Sequence, residues 1–261
     1  MNLSLYGKYA LIGGATQGIG LASAQQLARL GASCILVARD EDRLRDAVAT
    51  LDAASGQSHL SLRADYQNSE DTAKLVRELA RNRTIHIFVN NTGGPPPGAV
   101  IDADPTDFLA AFQQHILTSQ AIAQTLLPGM KSSGYGRIVN IVSTSVRIPI
   151  AGLGVSNTVR GAMASWAKTW SNEVAQYGIT VNNVLPGATE TPRLDALIHA
   201  QAQTRGISPK QVAHEMAAQI PAKRFAQPAE IASMVAFLAS PAAAYVNGTS
   251  IPVDGGKISA I

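Results

Sequence analysis

Six short apolar runs recur along the chain, separated by longer stretches rich in Ala, Leu, Gln and Glu. The runs are YALIG at 9–13, CILVA at 34–38, HLSLRA at 59–64, IHIFVN at 85–90, RIVNIV at 137–142 and ITVNNVL at 179–185. Between them, apolar residues are spaced three or four apart, which is typical of amphipathic helices. Near-continuous apolar strands are those covered on both faces. The pattern predicts an α/β fold: a parallel sheet of about seven strands with helices on both faces.

The segment from about 192 to 224 interrupts this alternation. It holds two helix-like pieces separated by GISP, with no strand between them. In open α/β sheets the ligand crevice lies beyond the carboxyl ends of the strands. We therefore expect this helical pair, which follows the sixth strand, to form a substrate lid, with a packing appendage as the alternative. No linker rich in Pro, Gly or Ser divides the chain, so residues 1–261 are expected to form one domain.

Composition and charge exclude several classes of protein. The formal charge of +3 comes from 21 basic and 18 acidic residues spread along the chain, without the clustered basic stripe that nucleic-acid binding needs. Cys34 is the only cysteine, so no intramolecular disulfide or multi-cysteine metal site can form, and a buried, inert thiol is expected. We find neither a secretory leader nor an apolar run of about 18 residues. These observations predict a cytoplasmic protein that binds neither nucleic acid nor membranes.

A glycine-rich turn follows the first predicted strand. It reads Gly13-Gly14-Ala15-Thr16-Gln17-Gly18-Ile19-Gly20 and leads into a helical stretch. Glycines permit positive φ and let the backbone approach a pyrophosphate, while the helix directs free N–H groups and its positive dipole end at that anion. Its place between the first strand and first helix of a βαβ unit predicts a dinucleotide-binding (Rossmann) domain.

The end of the second predicted strand indicates which dinucleotide is preferred. An acidic residue there bonds the ribose hydroxyls of NAD, whereas an arginine accommodates the 2′-phosphate of NADP. The chain has Ala38, Arg39 and Asp40 at this point. We therefore expect NADP(H) to be preferred over NAD(H). Two alternatives remain open: Asp40 is the ribose-binding acid, or Arg39 is a solvated surface charge.

Four motifs, in order, resemble those of the short-chain dehydrogenase/reductase family over essentially the whole chain. The family's TGxxxGxG has Gly13 in the threonine position, followed by Gly14, Gly18 and Gly20; its NNAG is similar to Asn90-Asn91-Thr92-Gly93. LPGATET at 185–191 resembles the family's PG…T segment, and YVNGTSIPVDGG at 245–256 resembles its closing strand.

The resemblance implies how a nicotinamide dinucleotide would be held. Asp65 is expected to bond the adenine and Asn91 to support the cofactor ribose, although an ordinary strand-end cap is an alternative role for Asp65. The nicotinamide and phosphates are expected to lie against Pro186, Gly187, Thr189 and Thr191, with the glycine turn contributing Gly14, Thr16, Gln17, Gly18, Ile19 and Gly20. Family members usually pair through helices, so a homodimer or homotetramer is expected.

The catalytic positions depart from the family pattern. The family's serine corresponds to Ser143, and the usual spacing of 13 positions then places Ser156 where its tyrosine belongs. Arg160 stands in the lysine position and His115 in the position of the family's asparagine. Ser156 and Arg160 still share a helical face, because side chains at i and i+4 are neighbours.

The replacements change what each position can do. A serine hydroxyl such as that of Ser156 is a poor general acid, and Arg160 can hold ribose hydroxyls and supply charge but cannot release a proton. His115 has an ordinary pKa suited to proton transfer at neutral pH. One hypothesis is that His115, directly or through water, replaces the tyrosine while Ser143 and Ser156 hold the substrate carbonyl. In the alternative, His115 is satisfied inside its helix or at a subunit contact.

Two further features lie beside these positions. Pro95, Pro96 and Pro97 form a stiff segment after the fourth strand, which is either one wall of the substrate pocket or a rigid loop without substrate contact. Trp166 and Trp170 lie one turn apart and are expected in the core or at a subunit contact.

Two functions are compatible with this sequence. The first is an NADP(H)-preferring oxidoreductase that interconverts a small-molecule carbonyl and its alcohol, similar to a 3-oxoacyl reductase or a related ketone reductase, with an altered proton-transfer site. The second is a catalytically impaired dinucleotide-binding protein that acts as a sensor or assembly partner. Both predict NADP(H) binding, so only turnover separates them.

Overall fold

The computed structural model describes residues 1–259 and confirms the predicted sheet. Its seven strands are β1 Tyr9–Gly13, β2 Ser33–Ala38, β3 Leu60–Arg63, β4 Ile85–Asn90, β5 Gly136–Ile141, β6 Ile179–Pro186 and β7 Ser250–Val253. They form one sheet in the order β3-β2-β1-β4-β5-β6-β7, and all neighbouring pairs are parallel. The chain reverses its direction of winding between β1 and β4, which opens a crevice at their carboxyl ends.

Helices cover both faces of this sheet. They are α1 Gly18–Arg29, α2 Glu41–Ala49, α3 Ser69–Ala80, α4 Pro105–Phe112, α5 Thr118–Ser133, α6 Gly154–Val174, α7 Pro192–Arg205, α8 Pro209–Ala218 and α9 Pro228–Ala239. Successive strand residues point to opposite faces. Thus Ala10 and Ile12 pack in the cluster that includes residues of α1, α2 and α9, whereas Leu11 packs in the cluster that includes residues of α3, α5 and α6.

The two helices predicted within 192–224 are present as α7 and α8. Each has proline as its first residue, after an N-cap side chain that accepts from the backbone, Thr191 for α7 and Ser208 for α8. Gly206, in the left-handed region at φ 63°, ends α7. Leu194, Ile198, Ala202 and Val212 form a small apolar cluster of their own. The pair therefore packs as a unit outside the sheet's two main cores.

A single wide helical turn joins α4 to α5. Residues Gln113–Leu117 form a π-helical turn, and His115 lies within it. Such turns insert one extra residue into a helix and are frequent at functional sites. Here the turn lies directly after α4 and brings His115 to the carboxyl end of β4, where it contacts Thr92.

The lone cysteine is buried in the core, as predicted. The Cys34 thiol lies beside the carbonyl oxygens of Ala24 and Ala32, and burial raises its pKa to about 12. It is therefore a protonated packing residue at neutral pH. Within residues 1–259, no helix combines the length and apolar character required to cross a lipid bilayer.

Candidate active site

The glycine turn after β1 forms a cradle that side chains would fill. Gly14 and Gly18 both lie in the left-handed region at φ 57°. A Cβ on Gly20 would lie 2.2 Å from the carbonyl oxygen of Gly14. The Asn91 amide donates to the carbonyl oxygens of Gly13 and Gly14, at 3.1 and 3.4 Å, and so fixes the turn against the end of β4. The backbone here fits a dinucleotide pyrophosphate at the mouth of α1.

The segment after β6 faces this cradle from the other side. A Cβ on Gly18 would lie 3.1 Å from the methyl carbon of Thr191, the N-cap of α7. Thr189 is buried and its hydroxyl donates to the Gly187 carbonyl at 3.0 Å. Gly187 follows Pro186, and a Cβ there would lie 2.8 Å from the backbone of Asp254. Two of the sequence motifs, far apart in the chain, therefore form opposite sides of one crevice.

Gly13 packs closely against the side chain of Tyr66, a contact that sequence reasoning missed. A Cβ on Gly13 would lie 2.7 Å from the Tyr66 hydroxyl and 2.6 Å from the Asn91 carbonyl oxygen. Tyr66 is buried, and its hydroxyl has no hydrogen-bond partner within residues 1–259. Burial raises the pKa of this phenol, so it stays protonated. The only signal in the sequence was the glycine in the family's threonine position.

The segment after β2, beside the cradle, carries two arginines, and the carboxylate of Asp40 there is engaged in a cap. Arg39 is exposed after β2, and Asp40 accepts from the backbone N–H of Arg43 as the N-cap of α2. The Arg43 guanidinium donates to the side-chain oxygen of Gln17 at 2.6 Å, next to Gly18. Arg43 was missed in the sequence, although it lies one helical turn after Arg39. The Asp40 carboxylate is engaged by its own helix.

Asp65 has a local structural role that the sequence had left as an alternative. Its carboxylate accepts from the backbone N–H of Gln67 at 3.0 Å, and its carbonyl accepts from the backbone N–H of Asn68. Asp65 therefore caps the turn that follows β3. The side chain is exposed, so an adenine contact remains a prediction.

Ser143, Ser156 and Arg160 are positioned by β5 and α6. Ser143 follows β5, and its hydroxyl oxygen accepts from the backbone N–H of Ser145 at 3.0 Å. Ser156 is buried in the first turn of α6, and Arg160 follows one turn later. One terminal nitrogen of Arg160 donates to the carbonyl of Ile141, the last residue of β5, at 2.8 Å. Burial and the nearby charge of Arg193 lower the pKa of Arg160 to about 10, which leaves it charged at neutral pH.

His115 is buried, and one of its two ring nitrogens has a hydrogen-bond partner. Its Nδ1 atom shares a short hydrogen bond with the Thr92 hydroxyl, and its ring is only 2% exposed. Its Nε2 atom is buried and has no hydrogen-bond partner within residues 1–259. Burial, with the positive charges of Arg160 and Arg193, lowers the pKa of His115 to about 2. His115 is neutral at neutral pH, and when Thr92 donates to Nδ1 the Nε2 atom carries the proton.

The loop after β4 is held by both the π-helical turn and the start of α7. The Gln114 side chain donates to the Gly93 carbonyl at 3.0 Å. From α7, the Arg193 guanidinium donates to the carbonyls of Gly94 and Pro95, at 3.3 and 3.1 Å. Arg193 was missed in the sequence, because nothing local links the start of α7 to a loop 99 positions earlier.

The far end of the same loop is tied to the turn before α6. Gly98 donates its N–H to the carbonyl of Gly152 at 2.7 Å and accepts from the N–H of Gly154 at 3.0 Å. The loop that contains Pro95, Pro96 and Pro97 therefore bridges α7 and the start of α6, which carries Ser156. Its role as a wall of a substrate pocket stays a prediction.

The two tryptophans pack between helices of the same chain. Their indole N–H groups both donate to the side-chain oxygen of Gln120 on α5, at 2.8 Å from Trp166 and 2.9 Å from Trp170. Their ring centroids are 5.6 Å apart. The pair fixes α6 against α5 and so contributes to the placement of Arg160 indirectly.

Comparisons with known proteins agree with this geometry. A family model described as enoyl-(acyl carrier protein) reductase matches residues 14–257. The chain is 33% identical over 255 residues to a D-beta-hydroxybutyrate dehydrogenase of Rhizobium meliloti, covering 95% of this chain and 98% of the relative. It is 31% identical over 255 residues to a 3-oxoacyl-[acyl-carrier-protein] reductase of Vibrio cholerae, covering 97% and 98%.

One solved structure shares the whole architecture. The L-sorbose reductase of Gluconobacter frateurii, crystallised with NADPH and L-sorbose, superposes with a TM-score of 0.93 at 30% identity and covers both chains completely. This chain carries a backbone cradle, two serines and an arginine at one edge of that shared sheet.

Proposed function

Because the chain belongs to the short-chain dehydrogenase/reductase family, we propose that it uses NADPH to reduce a carbonyl compound to its alcohol, with proton-transfer groups unlike the family's. One observation carries this proposal: the glycine cradle and the Ser143, Ser156 and Arg160 group lie at the same carboxyl edge of the sheet. The substrate class that fits is a small ketone or 3-oxoacyl compound, the chemistry named for the relatives above.

The side chains supply polarisation of the carbonyl group. Bound NADPH would supply the hydride that adds to the carbonyl carbon. As the carbon–oxygen π electrons move onto the oxygen, the hydroxyls of Ser143 and Ser156 donate hydrogen bonds to it. The guanidinium of Arg160 adds positive charge, and one such preorganised donor is typically worth about 10² to 10³ in rate.

The proton reaches the alkoxide by another route than the family's tyrosine. Ser156 is too weak an acid, and Arg160 does not release its proton. His115 is neutral, so it does not act as an imidazolium. We assign it a narrower role: its Nε2–H orients a water molecule that gives a proton to the alkoxide and takes one in turn from the solvent, so that no hydroxide is left in the site. The loss of an efficient general acid slows such a reaction by about 10² to 10⁴.

The arginines at the adenosine end support NADPH over NADH. Arg39 is exposed and free to pair with a 2′-phosphate, and Arg43 reaches the cradle through Gln17. Asp40 caps α2, which weakens the alternative that it binds ribose hydroxyls. The helical pair α7 and α8 serves in this proposal as a substrate lid, held to the proline-containing loop by Arg193.

Turnover is the test of the proposal. NADPH oxidation is measured across ketones, quinones and acyl thioesters, with the Ser156→Tyr/Arg160→Lys double variant in parallel. Slow oxidation by the natural chain, raised in the double variant, is the expected result. Oxidation by the double variant alone would instead support a dinucleotide-binding protein that acts as a sensor or assembly partner.

The exposed apolar side chains near α4 support self-association. Ile101 is 88% exposed and Leu109 is 70% exposed, and Phe112 and Leu117 are also exposed. Large apolar side chains exposed close together in the chain are typical of an interaction site. A homodimer or homotetramer is expected, to be measured by sedimentation equilibrium.

A further inference from the structure

The groups that surround the proposed reaction centre carry positive charge without a matching acid. Arg160 is half-buried at the end of β5, and Arg193 lies at the exposed rim, on the first turn of α7. Within residues 1–259, the ion pairs join Arg45 to Asp42, Arg205 to Glu215 and Arg224 to Glu230. Neither site arginine is in that set.

These cations lie close to one another and to His115. The charges of Arg160 and Arg193 both lower the pKa of His115, and Arg193 also lowers that of Arg160. Two like charges at one site repel, and a half-buried guanidinium without a counter-charge is costly. An anion bound beside them would offset both costs.

A second, independent observation points into the same site. His115 is 2% exposed, and its Nε2 atom lacks a partner within residues 1–259. A buried polar atom of this kind usually has a partner when the site is filled. The three groups thus differ in depth: Arg193 is exposed, Arg160 is half-buried and His115 is buried.

The hydrogen bonds of Arg193 indicate that this anion is not the cofactor's pyrophosphate. Its guanidinium donates to the carbonyls of Gly94 and Pro95, on the loop after β4, rather than to the glycine cradle after β1. Arg160 likewise lies against Ile141 at the end of β5. Both arginines are therefore placed on the substrate side of the crevice.

We propose that the substrate is a small oxo acid whose carboxylate binds between Arg160 and Arg193, a step that rests on the proposed carbonyl reduction. Guanidinium groups match the planar, two-oxygen geometry of a carboxylate. Because Arg160 lies one helical turn from Ser156, the carboxylate is separated from the reacting carbonyl by at most a few bonds. A 2-oxo or 3-oxo acid has this spacing.

Binding is measured first, with NADP⁺ bound so that no turnover occurs. Calorimetry compares pyruvate and acetoacetate with their methyl esters, which keep the carbonyl and lose the charge. We expect the acids to bind at least about tenfold more tightly than the esters, the scale of one charge-assisted contact. Equal binding of acid and ester, or binding of neither, overturns the inference.

Arginine variants identify which residue causes any preference for the acid over its methyl ester. Arg193→Met should abolish the preference for the acid, whereas Arg193→Lys, which keeps the charge, should retain most of it. Arg205→Met is the matched control, because it removes an arginine from the same helix that is already paired with Glu215. An equal loss in Arg193→Met and Arg205→Met would mean that net charge alone is responsible and would overturn the proposal.

The binding and NADPH oxidation measurements together separate this inference from the proposed function. NADPH oxidation with ketones but without any acid preference would leave the reductase intact and remove the carboxylate site. Selective acid binding without NADPH oxidation by any carbonyl would support the carboxylate site and contradict the reductase.

Discussion

One side of the crevice is shaped by backbone and the other by side chains. On the cofactor side, the fit depends on backbone: Gly14, Gly18 and Gly20 leave space that any Cβ would fill. On the chemical side, it depends on side chains carried by β5, α6 and the π-helical turn. A site made from backbone constrains its sequence tightly, whereas side chains in the first turns of a helix can change without loss of the fold. This contrast explains how the family's glycine pattern persists here beside Ser156 and Arg160.

The largest expected effect on binding comes from the cofactor side. Gly20→Ala places a methyl group 2.2 Å from the Gly14 carbonyl oxygen, a contact that requires the backbone to shift. We expect NADPH affinity to fall by at least about 100-fold, because the cradle must approach the pyrophosphate closely. Fluorescence titration with NADPH measures the loss.

The matched control for this variant is Gly161→Ala. Gly161 lies inside α6, and its Cβ would meet no atom within 4 Å. Alanine there is expected to raise the free energy of unfolding by about 0.5 to 1 kcal/mol and to leave NADPH affinity unchanged. Similar affinities of Gly20→Ala and Gly161→Ala for NADPH would show that the close contact at Gly20 does not control cofactor binding.

The next effect tests the chemical side alone. Ser143→Ala removes one hydroxyl that polarises the carbonyl, so kcat/KM should fall by about 10² to 10³. NADPH affinity should stay within about twofold, since the cradle is untouched. Ser143→Thr keeps the hydroxyl and should recover part of the rate in the NADPH oxidation assay. A loss of NADPH affinity equal to the loss of rate would contradict the separation of the two sides.

Local patterns predicted the sheet and the cradle but not the contacts that cross the crevice. Strand runs and the glycine turn are properties of neighbouring residues, which is why β1 and the mouth of α1 were identified from the sequence. Arg193 reaches Gly94 only because α7 packs beside the loop after β4. The neutral state of His115 depends on burial and on two arginines from other elements. Such features arise from tertiary packing and have no signature in any single segment.

The pH dependence of the free energy of unfolding tests whether His115 is neutral in the folded protein. Its folded pKa of about 2 lies below the ordinary value of 6.5, so the folded state binds fewer protons than the unfolded state. The stability this provides is complete above pH 6.5 and is lost progressively as the pH falls toward 2. Between pH 7 and pH 5, we expect His115 to account for a loss of about 2 kcal/mol.

Urea denaturation at the two pH values measures this loss. His115→Asn removes the titrating ring and should reduce the pH dependence by that amount, while His199→Asn, at an exposed position on α7, should not change it. His86, whose pKa burial and Lys8 lower to about 4, contributes in the same direction and remains in both variants. An unchanged slope in His115→Asn would show that the ring keeps its ordinary pKa in the folded protein and would restore its use as an acid.

The smallest effect concerns the adenosine end, where the cofactor side also uses side chains. Arg39→Ala should lower NADPH affinity about tenfold, roughly 1.4 kcal/mol, and leave NADH affinity unchanged, because only NADPH carries the 2′-phosphate. Arg45→Ala is the control, an arginine on α2 whose partner is Asp42. Equal losses for NADPH and NADH would place Arg39 away from the 2′-phosphate. A selective loss would show that the backbone holds the dinucleotide, while replaceable side chains choose which one, as they choose the chemistry on the opposite side.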